Sequence, residues 1–179
     1  MRMADRVGPG WRRGAVCTAY AMLALLALLA LPALSQEGTF SLKSMTPEAA
    51  VSAARAAMEH CRKQSYQVTV AVVDRSGLLQ ALVRDRFAGA HTIEVATNKA
   101  WTAASFKLAT ATLALETQAG KPMSGIRAHP HVLAAAGGQP IEAGGALLGG
   151  IGVSGAPGGD VDDACAQAGI RAIAESLEF

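Results

Sequence analysis

The chain has 179 residues, room for one domain and short for two, with 51% hydrophobic residues and a formal net charge of +2. The positive balance belongs to the first 35 residues: without Arg2, Arg6, Arg12, Arg13 and Asp5, twelve Lys and Arg face thirteen Asp and Glu, a net of −1. With 4% aromatics and no basic stripe, nucleic-acid binding has no electrostatic footprint, and tight adsorption to an anionic membrane has none either.

The start has the order of a secretory signal: basic residues, an apolar run from Ala15 to Leu34, a break at Pro32, and small Ala33 and Ser35 at the −3 and −1 positions of a cleavage site. The expected cut is Ser35/Gln36; the alternative is an uncleaved anchor, because about 20 apolar residues just span a bilayer. Arg12-Arg13 hints at twin-arginine export, but its neighbours do not fit, and Cys17 sits at the front of the run, the wrong end for lipid attachment. The expected layout is a signal over 1–35, a short linker over 36–45 and one domain over 46–179.

Thr46-Pro47-Glu48 opens a helix with an N-cap hydroxyl, a first-turn proline and an acid at the positive end of the dipole. Ala50, Ala53, Ala54, Ala57, Met58 and Cys61 follow at helical spacing, a small-residue face able to approach a sheet closely, with His60 at its edge. Val68 to Asp74 and Leu78 to Arg84 flank Arg75-Ser76-Gly77 and read as a hairpin. Helices follow over Thr92 to Lys107 and Thr110 to Gln118, then turn signals from Gly120 to Gly138. A second hairpin runs from Gln139 to Ser154 around Ala143-Gly144-Gly145, and Asp160 caps a last helix with Val161, Ala164, Cys165 and Ala168 inward. Short hairpin loops imply antiparallel pairing. The predicted fold is α+β in the order α-β-β-α-α-β-β-α, a small antiparallel sheet of about five strands layered with helices. Cys61 and Cys165 both fall on apolar helix faces and read as buried free thiols, with pairing as the alternative in an exported protein.

Gly150-Ile-Gly152-Val-Ser-Gly155 matches the dinucleotide fingerprint, but no strand follows the next helix, and Asp160, Asp162 and Asp163 would repel a pyrophosphate there. The glycines read instead as a strand that accepts another backbone or a flat ligand against it. Ser154 lacks the flanking glycine of a nucleophile elbow, since Ala156 stands there, and no nucleophile, base and acid are placed together. The three aspartates lack calcium-loop spacing and read as dipole-matched acids. His129-Pro130-His131 offers two imidazoles on a surface loop, too few for structural zinc. His91 either flanks the second helix or presents an imidazole at the mouth of a cleft, where haem iron could take it; His60, His129 and His131 are the alternative ligands. Lys99 is a solvated helix charge, or pairs with Asp74 or a ligand carboxylate.

Taken in order, Thr69-Val-Ala-Val-Val-Asp74-Arg75-Ser-Gly77, Arg84 with Ala88-Gly89, Lys99-Ala100-Trp101-Thr102-Ala103, Gly138-Gln-Pro140, Gly150 to Ala156, Asp160 with Asp163, and Ala168-Gly169 resemble the GlcG/HbpS-like family, which includes the C-terminal domain of PduO. The resemblance covers about residues 45 to 176. It implies a layered α+β domain, a homo-oligomer (often an octamer), and in some members haem binding for storage, degradation or signalling to a membrane sensor. It also implies a haem contact at His91-Thr92; the residues leading into it leave Phe87 either to stack on a porphyrin or to fill the slot, and Arg84 or Arg86 to meet a propionate. One departure stands out: Arg86 and Phe87 occupy a step where the family commonly has an acid and Gly. The other functions the pattern admits are a small enzyme of hydroxyacid metabolism, which needs a pocket joining Asp74, Arg84 and Lys99, and an oligomeric scaffold without a ligand.

Overall fold

The computed structural model describes residues 38–177; the expected signal segment lies outside them. Helix α1 (Pro47–Arg62) begins where Thr46 accepts a hydrogen bond from the Ala49 amide at 3.2 Å. Strands β1 (Thr69–Asp74) and β2 (Leu79–Arg84) form the first hairpin, and α2 (Thr92–Phe106) and the short α3 (Thr110–Glu116) follow. A 3₁₀ turn at Ser124–Ala128 leads to strands β3 (Gly138–Ala143) and β4 (Ala146–Ser154), and helix α4 (Gly159–Ile173) closes the domain. The element order is the predicted one. The sheet has four strands rather than about five, ordered β2-β1-β4-β3, with every pairing antiparallel. No helix among the described residues is long and apolar enough to cross a membrane.

Period-two alternation divides the core between two faces. Val70 and Val72 of β1, with Ile151 and Val153 of β4, point to one side and meet Ala50, Ala53, Ala54 and Ala57 of α1 and Cys165, Ala166 and Ile173 of α4. Ala71 and Val73 point to the other side and meet Ala96, Ala100 and Ala104 of α2. On that side β4 meets the helix with Gly150 and Gly152: a Cβ on Gly152 would lie 2.1 Å from the Ala96 carbonyl oxygen, and one on Gly150 would lie 2.5 Å from that of Ala100. The glycine motif therefore seats a helix backbone against the sheet, the close approach expected of it.

Cys61 and Cys165 form a disulfide, with Cα atoms 5.7 Å apart, which corrects the expectation of free thiols. The reason lies in the same apolar faces. α1 and α4 lie side by side on one sheet face, so close that a Cβ on Gly169 would sit 2.6 Å from the Ala53 carbonyl oxygen. Two inward cysteines on such neighbours meet.

The last helix departs from expectation at its start. Gly158 is its N-cap, and Asp160 lies inside the first turn without capping it. The inward residues are Asp162, Cys165, Ala166, Gly169 and Ile173, so the buried face is turned by one position and carries an acid into the interior.

Candidate functional site

A cleft of about 500 Å³ opens beside the start of α2. One wall is Gly89, His91 and Thr92; the opposite wall is the segment from Ser154 to Pro157 after β4. Tyr66 and Gln67 close one end, Phe87 rises at the rim, and Asp162 contributes to the lining from α4.

The loop that carries Phe87 and His91 is firmly held. Arg62, at the end of α1, grips Asp85 through two hydrogen bonds of 2.6 and 3.0 Å. Arg84 donates to the Ala88 carbonyl, and the Ala88 amide donates to the Asp85 carbonyl at 3.1 Å. Gly89 lets the His91 ring lie close: a Cβ there would fall 2.7 Å from it. The His91 imidazole accordingly lies against bare backbone, exposed, with no hydrogen-bond partner among the described residues. Phe87 is 80% exposed.

Thr92 and Lys99 are differently placed. The Thr92 hydroxyl is buried and committed, donating to the Gly89 carbonyl at 2.6 Å and sharing a hydrogen bond with Thr69 at 2.6 Å. Lys99 is 3% exposed, so the reading as a solvated charge is corrected. Its ammonium donates to the Val153 carbonyl and to Asp162, each at 2.8 Å. Its partner is thus Asp162, and not Asp74, which caps its own turn by accepting from the Ser76 and Leu78 amides. The other Asp162 oxygen accepts from the Ala156 amide, which fixes the cleft wall. Burial pushes the Asp162 carboxyl above the ordinary carboxylate range, against the downward pull of Lys99. Asp85 goes the other way: the Arg62 guanidinium holds it below that range.

Asp74, Arg84 and Lys99 do not form a common pocket. Arg84 faces Thr69 at one end of β1, Asp74 lies at the other end, and Lys99 is enclosed behind β4. Among the alternative imidazoles, His60 lies in the last turn of α1, and His129 and His131 gather around Trp101, so none of the three lines the cleft. Sequence reasoning did not reach Gln67, and it read Asp162 only as one of three acids at a helix start. Gln67 carries a buried side-chain oxygen with no hydrogen-bond partner, beside the cleft. No local pattern marks it, because the cleft assembles from four separate segments.

A three-layer α+β domain with an open antiparallel sheet and a cleft at the start of the helix on one face is the class of protein defined here. The model of the HbpS-like family, described as haem degrading protein HbpS-like, matches residues 45–171, and the chain belongs to that family. It is 39% identical to a solved double mutant of HbpS from Streptomyces reticuli, at a TM-score of 0.71, covering 79% of this chain and 96% of that one. It is 32% identical to the solved complex of PduOC with haem, at a TM-score of 0.70, covering 73% of this chain and 96% of that one. The corrinoid adenosyltransferase PduO of Salmonella typhimurium is 35% identical over 103 residues, 56% of this chain; the chain spans only 31% of that relative's length.

Proposed function

We propose that this protein is exported and binds haem in the cleft beside α2, with His91 as the iron ligand. The observation that carries the reading is an imidazole without a partner at the mouth of a cleft, held in place by a packed loop. Haem iron takes histidine readily, and the PduOC relative was solved as a haem complex. The residues present suit the group. Phe87, Pro157 and Ala156 offer apolar surface, and exposed Arg84 and Arg86 stand near enough in the chain to meet a propionate. Thr92 lines the cleft with its hydroxyl held by Gly89 and Thr69, and Lys99 braces the cleft wall from behind β4. Bound haem would supply iron-centred redox and oxygen chemistry; the chain's own contribution is to bind, orient and partly enclose it. Export is supported by the order of the leader and by a disulfide between buried cysteines, at home in an oxidising compartment. A homo-oligomer and a membrane sensor partner belong to the same reading, and exposed Leu78, Leu79, Phe87 and Ile93 supply apolar surface for contacts between chains.

The test is a haem titration followed at the Soret band, with His91→Ala in parallel. A saturable, shifted band in wild type that is lost or displaced in the variant is the expected result. A band indifferent to the substitution would remove His91 from the iron, and no band at all would remove haem.

A further inference from the structure

His129, His131 and Trp101 form a second cluster, outside the cleft. The Trp101 indole stacks on His129, with ring centres 5.5 Å apart and planes 9° from parallel. His131 completes the group, its ring 5.6 Å from Trp101 and 6.0 Å from His129. Both histidines are exposed.

This arrangement is built rather than incidental to a loose loop. Trp101 is wedged against the β1–β2 turn, where a Cβ on Gly77 would meet its ring at 2.7 Å. The next residue on α2, Thr102, ties the loop down on both sides of His131: its hydroxyl donates to the His131 carbonyl at 3.2 Å and accepts from the Leu133 amide at 2.9 Å. Val132 between them is buried. The backbone therefore presents two imidazoles to solvent from one fixed place.

We propose that His129 and His131 together bind one late first-row divalent cation, with copper(II) preferred and nickel(II) and zinc(II) weaker. Imidazoles that share a cation, with metal–nitrogen bonds of about 2.0–2.1 Å, hold their ring centres at most about 6.4 Å apart. The observed 6.0 Å lies inside that limit, and a small rotation of either exposed ring narrows the angle at the ion. The donors are nitrogen alone, and among the described residues no carboxylate or thiolate joins them in a set of three. Imidazole donors suit copper, nickel and zinc, and affinity in that series peaks at copper(II). Water fills the remaining positions. His129 Nδ1 accepts from the His131 amide at a long 3.3 Å; coordination through Nε2 shifts the ring proton to Nδ1 and gives up that weak contact. Trp101 shields one face of His129 and leaves its edge open.

The test uses the full-length chain and copper(II) alone, read by Trp101 fluorescence and by calorimetry, in a Trp11→Phe background that removes the other indole. The expected result is one ion per chain with saturable quenching. His129→Ala and His131→Ala each weaken binding by about tenfold or more, since losing a direct ligand costs at least what losing an outer-shell partner does. His60→Ala leaves binding unchanged, and circular dichroism confirms that every variant is folded. Binding that survives both His129→Ala and His131→Ala, or quenching that never saturates, overturns the proposal. The haem reading is tested separately: the His129→Ala/His131→Ala double variant keeps the wild-type Soret titration if the two sites are distinct. Loss of the haem band in that variant would assign these rings to the haem and refute the second site.

Discussion

Replacing Cys61 and Cys165 by alanine removes a cross-link between residues 104 positions apart. In the chain-entropy account a bridge across so long a loop stabilises the fold by about 4.7 kcal/mol at 25 °C, by restricting the unfolded chain. A domain of this size has about 5–15 kcal/mol in total, so the variant should lose a third or more of its stability. Urea unfolding measures this directly on the oxidised wild type, the reduced wild type and the double alanine variant. The reduced protein and the variant should unfold at similar, much lower midpoints. Their unfolding slopes should be steeper, because the uncrossed chain exposes more surface. A loss below about 1 kcal/mol would refute the entropic argument for this loop. Thiol counting tests the pairing itself: the denatured, unreduced full-length chain should show one thiol, Cys17, and three would mean that Cys61 and Cys165 are free.

The Lys99–Asp162 pair gives a second test. Lys99→Met leaves a buried carboxylate without its cation and should cost about 3–5 kcal/mol in chemical denaturation, whereas Lys99→Met/Asp162→Asn should cost clearly less than the two single losses together. Strict additivity would mean that the pair is not coupled. Asp85 sets a pH dependence: its folded-state pKa is lowered, so its contribution is fully present above the ordinary carboxylate range and is lost as pH falls through the folded value. Asp85→Asn should flatten that acid slope in urea midpoints followed from neutrality to about pH 3, and an unchanged slope would place the acid sensitivity elsewhere.

The elements were legible because their signals are local. Thr46-Pro47 caps α1 as its residue types require, and the alternation in β1 and β4 fixes which residues face which helix layer. What local pattern could not supply was partnership across the chain. Cys61 and Cys165, and likewise Lys99 and Asp162, sit on separate helices, and nothing near either residue specifies its partner. Asp162 in particular looked like one of three acids at a helix start; only the packing of α4 against β4 turns it inward, while Asp163 accepts from the Gly137 amide and the Gln139 side chain. His91 was legible as a candidate because it stands at a helix entrance, whereas Gln67 reaches the cleft from a loop that carries no motif. The imidazoles of His129 and His131 were visible as a pair, but their stacking partner Trp101 lies 28 positions from the nearer of them.

Gly150 and Gly152 seat α2 on β4 like a rod on a bench. The Ala96 and Ala100 carbonyls rest on Gly152 and Gly150, with no side chain between the helix and sheet backbones at those points. His91 stands at one end of that rod and Trp101 ten residues along it, about 15 Å at the helical rise. Occupants of the two sites would therefore be held at a fixed spacing, as marks on a ruler.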